Sequence, residues 1–148
     1  MSDQHHKLAA MKIRQLDAHE AEALLELWTV STAPSETDTM GDISRLVREA
    51  HARCLVADID GQIVGSVIAT FDGWRGNIYR LAVRPDHRRR GVARALVAAV
   101  EEAFGEWGVR RITVLVERDH PWAVGFWGAV GYDLDARIAR FVRNVRTS

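Results

Sequence analysis

Apolar and polar positions along the chain change period several times, and each change marks an element. Lys12 to Leu16 alternates as a short first strand, and Asp17-Ala18-His19-Glu20 follows with the residue types of a capping box. Ala21, Leu24, Leu25 and Trp28 then recur at the spacing of one buried helix face, which predicts a helix ending near Ser31. Thr32 to Gly41 is polar, contains Pro34 and reads as a loop, before a second helix near Asp42 to Ala52. From Cys54 the period falls to two. Cys54 to Ile59 and Gln62 to Phe71 predict a hairpin joined by Asp60-Gly61, and Asn77 to Arg84 predicts a third strand of this run, closed by Pro85.

The helical period returns after Gly91. Ala93, Leu96, Val97, Val100, Phe104 and Trp107 line one face, and Gly108 stops the helix. Arg111 to Glu117, with its unbroken Ile-Thr-Val-Leu-Val centre, predicts an interior strand. A shorter helix should run from Pro121 to Val130 with Gly131 at its C-terminal cap, and a last strand from Ala136 to Val145. The order βααβββαβαβ implies an α/β (α+β) fold: a mixed, mostly antiparallel central sheet with helices packed on both faces.

Composition narrows the function classes. The 148 residues are 47% hydrophobic and 27% charged, which suits a single domain with its own core. The longest apolar run, Ala95 to Val100, is far short of the roughly 20 residues of a membrane helix. The N-terminal residues carry Asp3 among scattered polar residues and no apolar core of a secretory signal, so a cytoplasmic protein without membrane attachment is expected. A lone cysteine, Cys54, excludes an internal disulfide and gives no basis for a metal site, so no metal is expected. Its simplest role is a small buried residue, with a covalent acyl-cysteine as the alternative. Lys plus Arg equals Asp plus Glu, 20 against 20, so no global charge draws the chain to nucleic acid.

One local charge signal stands out from that balance. Arg84, Arg88, Arg89, Arg90 and Arg94 cluster at the junction of a strand, a turn and a helix N-terminus. The first amides of a helix lack intrahelical acceptors and sit at the positive end of its dipole, and Gly91 and Ala93 leave that backbone uncovered, so an anion fits there. The plain alternative is a solvated basic patch. A single glycine excludes the dinucleotide fingerprint, and no Gly-Lys-Ser/Thr follows to make a P-loop.

These residues resemble the GNAT superfamily of acyl-CoA dependent N-acetyltransferases. Its hallmark [QR]-x-x-G-x-[GA] reads here Arg88-x-x-Gly91-x-Ala93, preceded by Ile78-x-x-Leu81-Ala82-Val83-x-Pro85 and followed by Ala123-x-x-x-Trp127-x-x-x-Gly131-Tyr132. The resemblance spans about residues 12 to 145, leaving residues 1–11 as an expected flexible extension of one acetyltransferase domain, 1–148. It implies acetyl-CoA as co-substrate, with its pyrophosphate on the turn formed by Arg88, Arg89, Arg90, Gly91, Val92, Ala93 and Arg94. It further implies a pantetheine arm lying along Leu81, Ala82 and Val83, in a split between the third strand of the run and the next. An amide near Leu81 would polarise the acetyl carbonyl, and Trp127 would wall the thiol. The acceptor amine, on a small molecule or a protein, would enter over the first two helices and attack the thioester directly. The resemblance also allows a homodimer in which the last strand pairs across the interface.

The acid and base are where the sequence departs from the family pattern. An amine of pKa about 10.4 costs roughly 4 kcal/mol to deprotonate at pH 7.4, so a base is useful. Asn77 stands where some members carry a glutamate, and Trp127 where a tyrosine often protonates the leaving thiolate. Neither side chain exchanges a proton near neutrality. Substitutes are Tyr79, on the face of Asn77 by strand period, and Glu117, Asp119 or His120 beyond the next strand. For His120 the alternative is a capping or loop histidine, and for Trp127 it is core packing. Glu36, Asp38 and Asp42 form an acidic stretch that either faces solvent or attracts a cationic amine. A non-catalytic acyl-CoA sensor is the competing function, since it would need no acid or base. Nucleic-acid binding through the arginines is a third, disfavoured by the neutral charge.

Overall fold

The computed structural model describes residues 10–31, 38–120 and 122–145. Pro34, Glu36, Pro121 and residues 1–9 of the expected extension therefore lie outside the described residues. Strand β1 is Met11–Gln15, so it takes in the last residue of the segment assigned to the extension. A 3-10 turn, Ala18–Glu20, leads into helix α1, Ala21–Ser31, and the Glu20 carboxylate accepts the Asp17 N–H at 3.0 Å, the back half of the expected capping box. Helix α2, Met40–Val47, is capped by Thr39, whose hydroxyl oxygen accepts the Asp42 N–H at 3.1 Å. No helix among the described residues is long and apolar enough to cross a membrane.

Strands β2 (Ala52–Ile59), β3 (Gln62–Phe71) and β4 (Gly76–Val83) follow as an antiparallel run with β1 at its side. The β2–β3 turn has Asp60 at φ 52° and Gly61 at φ 86°, both left-handed, which matches the right-handed twist of the hairpin it joins. Helix α3, Val92–Trp107, crosses back, and β5, Ile112–Val114, pairs parallel to β4. The sheet order is β1-β2-β3-β4-β5.

Strand alternation puts the helices on opposite faces. Ser66 of β3 contacts Trp28 of α1, while a Cβ on the adjacent Gly65 would lie 2.8 Å from Val92 and 3.1 Å from Leu96 of α3. The α1 side buries Leu24, Leu27, Trp28, Ile43, Cys54, Val56 and Ile68, and the α3 side buries Val92, Leu96, Val97, Val100 and Phe104. Leu27, rather than Leu25, completes the buried stripe of α1.

Residues 116–148 form a second compact unit, with helix α4 at Ala123–Ala129. Two strand expectations are corrected. The strand expected over Arg111 to Glu117 is only the three residues Ile112–Val114, half-buried, with Leu115 47% exposed. The strand expected from Ala136 to Val145 is absent, so the order ends in a helix and not in β. Its apolar residues Ile138, Phe141, Val142 and Val145 are spaced three, one and three apart, which does not alternate, and all are exposed. Without a period-two face to bury, the segment gains nothing from joining a sheet. β5, lacking an outer neighbour among the described residues, is left at the edge.

Cys54 is buried at the start of β2, and burial pushes its thiol up to about 12, so it is not the thiolate a covalent acyl intermediate needs. Native protein at pH 8 should react with a chromogenic disulfide reagent at least about 100-fold more slowly than protein in denaturant. Equal rates would mean the thiol is reached without unfolding.

Candidate active site

The candidate site is built on β4 and the turn that follows it. β4 pairs with β5 only over Gly76 to Ile78, and from Tyr79 to Val83 no strand among the described residues pairs with that side. On its other side β4 stays bonded to β3. Arg84 N–H donates to the Val64 carbonyl at 2.8 Å, and with Gly65 opposite Val83 and Ser66 opposite Ala82 the antiparallel alternation turns the backbone groups of Val83 outward. This is the split expected between the two strands.

A bulge interrupts β4 at Arg80. Ser66 pairs with Ala82 but Ile68 pairs with Tyr79, so Val67 faces two residues, and Arg80 adopts φ 54°. A left-handed arginine inside a strand is strained, and both ends of the residue are held. Its carbonyl accepts the Ser66 hydroxyl at 3.0 Å, and that hydroxyl oxygen accepts the Trp28 indole N–H at 2.9 Å. Its guanidinium lies 5.0 Å from the centre of the Trp28 ring and is ion-paired with Asp38. The bulge also breaks side-chain alternation. Asn77, Tyr79 and Arg80 share the α1 face, where Tyr79 is 42% exposed and Arg80 mostly covered. Of the acidic stretch, Asp38 faces Arg80, and Asp42 is drawn into the α2 cap by the Thr39 hydroxyl at 2.7 Å.

Past Val83 the chain makes a 3-10 turn, Pro85–His87, and enters α3 through two left-handed residues, Arg89 at φ 65° and Gly91 at φ 79°. Left-handed residues on both sides of Arg90 take the backbone out of extended geometry, the class of turn from which anion nests are built. Gly91 is the N-cap of α3 and offers no side-chain acceptor, and the first intrahelical bond runs from Ala95 N–H to the Gly91 carbonyl at 3.0 Å. The amides of Val92, Ala93 and Arg94 therefore stand at the positive end of a 16-residue helix without a capping side chain. Arg89, Arg90 and Arg94 are exposed around them, with Arg88 partly covered.

Leu81 to Val83 and Arg88 to Arg94 thus follow one another from β4 through the turn into α3, with the side chains of Ala82, Val83 and Val92 buried and those of Arg89, Arg90 and Arg94 exposed. The remaining candidates belong to residues 116–148. Glu117 and Asp119 are exposed there. His120 closes a turn by donating its N–H to the Glu117 carbonyl at 3.1 Å, and its Nδ1 accepts the Trp122 N–H at 3.4 Å. Both contacts are local to the segment before α4, whose N-cap residue Trp122 has no side-chain cap bond. Trp127 is buried, its ring edge-on to Tyr132 at 5.0 Å and to Phe126 at 5.3 Å.

Sequence reasoning missed Ser66, Trp28 and Arg80 as site residues. Ser66 in the apolar run Ile63 to Ala69 was the available signal, because a hydroxyl inside a buried strand needs partners.

Residues 15–132 match the model of the acetyltransferase (GNAT) family. The chain belongs to that family. An acetyltransferase of Pectobacterium atrosepticum is 34% identical over 124 residues, covering 83% of this chain and 88% of that protein. An acetyltransferase of Yersinia pseudotuberculosis is 32% identical over the same coverage. Among solved structures, the GNAT fold here is similar to AAC(6')-Iy in complex with a bisubstrate analogue, CoA-S-monomethyl-acetylneamine. The TM-score is 0.77 at 21% identity, covering 91% of this chain and 99% of that one. PaiA N-acetyltransferase of Thermoplasma acidophilum, in complex with coenzyme A, gives a TM-score of 0.78 at 16% identity, covering 84% and 91%. At those identities the structural likeness concerns the fold. GNAT membership makes the protein an N-acetyltransferase and disfavours the non-catalytic sensor.

Proposed function

We propose that the whole chain is one catalytic domain that transfers an acetyl group from acetyl-CoA to a primary amine, with a small molecule as the leading acceptor class. The observation that carries this is the turn from Arg88 to Gly91. Its left-handed residues, uncapped helix start and exposed arginines open beside the unpaired edge of β4, so one extended ligand can lie across both. The turn and the amides of Val92 to Arg94 suit a pyrophosphate, with Arg89, Arg90 and Arg94 adding charge-assisted hydrogen bonds. The outward backbone groups of Leu81 and Val83 suit an amide-bearing arm hydrogen-bonding as an added strand.

The acceptor nitrogen attacks the thioester carbon, a C–N bond forms as the C–S bond breaks, the nitrogen loses a proton, and the thiolate leaves to be protonated by solvent. Tyr79, on the same face as Asn77 and exposed, is the β4 side chain available to guide that proton. A small-molecule acceptor is supported by structural neighbours named as aminoglycoside acetyltransferases, one of which, meta-AAC0020, is in complex with sisomicin.

Calorimetric titration tests the reading. Wild type should bind acetyl-CoA, and Arg89→Ala should lose about tenfold in affinity for it, the value of one charge-assisted hydrogen bond. Thiol release from acetyl-CoA across a panel of small amines and amino-terminal peptides then identifies the acceptor class. Failure of the wild type to bind acetyl-CoA would remove the reading.

A further inference from the structure

We propose that Ser66 is a positioning residue for acyl transfer: held by the Trp28 indole, its hydroxyl pins the Arg80 carbonyl and thereby aims the Leu81 N–H at the thioester carbonyl. The inference rests on the acetyl-CoA reading above and goes beyond it in assigning what sets the polarising amide.

The argument starts from peptide geometry. The Arg80 carbonyl and the Leu81 N–H belong to one peptide unit, and in a planar trans peptide they point in opposite directions. No cis peptide is present among the described residues. The Ser66 hydroxyl draws the Arg80 carbonyl to the β3 side at 3.0 Å. The Leu81 N–H then points away from the Ser66 hydroxyl, and no strand among the described residues pairs with the β5 side of Tyr79 to Val83 to take it up. In a regular strand the ladder would set this direction. At the bulge it does not, because Val67 faces both Arg80 and Leu81 and one of the two peptides has no register partner.

Ser66 itself is fixed. It is fully buried, the only buried polar residue among the described ones, and a hydroxyl rotor would otherwise choose among partners. The Trp28 N–H, 2.9 Å from its oxygen, takes up one lone pair and leaves the hydroxyl proton for the Arg80 carbonyl. Trp28 is 4% exposed and packed in the α1-side core, so the indole is a rigid donor. The guanidinium of Arg80 rests on the same ring and pairs with Asp38, so the strained residue is held at carbonyl and side chain from the acceptor side of the sheet. Neither Ser66 nor Trp28 touches the reacting atoms in this scheme. They act through one peptide plane.

Isotope-edited infrared difference spectroscopy of carbonyl-labelled acetyl-CoA reads the aim of that amide without any acceptor. On binding to wild type, the thioester carbonyl band should move to lower frequency. Ser66→Ala should lose at least about half of that shift while keeping its affinity for acetyl-CoA within about threefold, because the phosphate turn is untouched. Trp28→Phe, which removes the donor together with the pyrrole half of the indole while keeping an aromatic ring, should lose a smaller part, and the double variant no more than Ser66→Ala alone. Val100→Ala, a buried truncation on the α3 side, should lower stability and leave the shift intact. A full shift in Ser66→Ala overturns the proposal, and where that variant does not fold, a full shift in Trp28→Phe does so. Wild-type binding without any shift overturns it while leaving acetyl-CoA binding in place. Absence of wild-type binding overturns both.

Discussion

Gly91→Glu should reduce affinity for acetyl-CoA by more than about 100-fold while leaving the protein folded. Two effects act in the same direction. The N-cap holds φ 79°, a conformation that costs an L-residue about 1 kcal/mol, so the variant either strains or rotates the amides that follow. A carboxylate at this point also competes for the same amides and repels phosphate. The loss is not one of packing, since a Cβ here meets nothing within 4 Å. Gly108→Glu is the matched control. Gly108 closes the same helix at φ 74°, also with open space around its Cβ, so that variant carries comparable backbone strain far along the chain from the turn. Titration calorimetry should find its affinity for acetyl-CoA within about threefold of wild type. Equal affinity in Gly91→Glu and wild type would remove the turn from the binding site.

Gly65→Val should destabilise the sheet strongly, and its effect should reach the cofactor. A Cβ at Gly65 would sit 2.8 Å from Val92 Cγ1, 3.1 Å from Leu96 Cδ1 and 3.2 Å from the Ala82 carbonyl oxygen. Val92 and Leu96 are 2% and 0% exposed, so neither can swing out, and the Ala82 carbonyl is part of the β3–β4 ladder. Overpacking of this kind costs about 3 kcal/mol, which for a chain of this length lowers Tm by roughly 8 °C. The strain is relieved most easily by lifting the first turn of α3 from the sheet, and that turn carries the amides proposed to hold phosphate. Acetyl-CoA affinity should therefore fall along with Tm, and Gly65→Ala should show a smaller version of both. A Tm within about 2 °C of wild type would mean that α3 yields without cost.

What the sequence made legible was local. The hairpin at Asp60-Gly61, the helix stopped by Gly108 and the Arg88-x-x-Gly91-x-Ala93 turn are each set by a few neighbouring residues whose chemistry has one common use. The bulge was not legible. Nothing in Tyr-Arg-Leu-Ala announces a left-handed arginine. Its support comes from Ser66, Trp28 and Asp38, which lie 14, 52 and 42 residues away in the chain. The short β5 and the missing strand after Ala136 fail for a related reason. An apolar run such as Ile-Thr-Val-Leu-Val states that burial is available, but how much of it becomes strand depends on partners on both sides, and the outer one is absent among the described residues. The structure adds that the bulge gives Tyr79 and Arg80 to one face, where strict alternation would have separated them.

The unpaired stretch from Tyr79 to Val83 has a further consequence for solubility. A row of open backbone groups in the middle of a sheet is a template for any extended chain, including a strand of another molecule, and such edges nucleate aggregation. Here the template is only five residues long, kinked at Arg80 by the bulge, and followed by Arg84 and the run Arg88 to Arg90. Kink, brevity and positive charge are the devices by which exposed edges are kept from self-pairing. Brevity, the kink and like-charge repulsion between two copies of the arginine run therefore oppose pairing of this edge with itself.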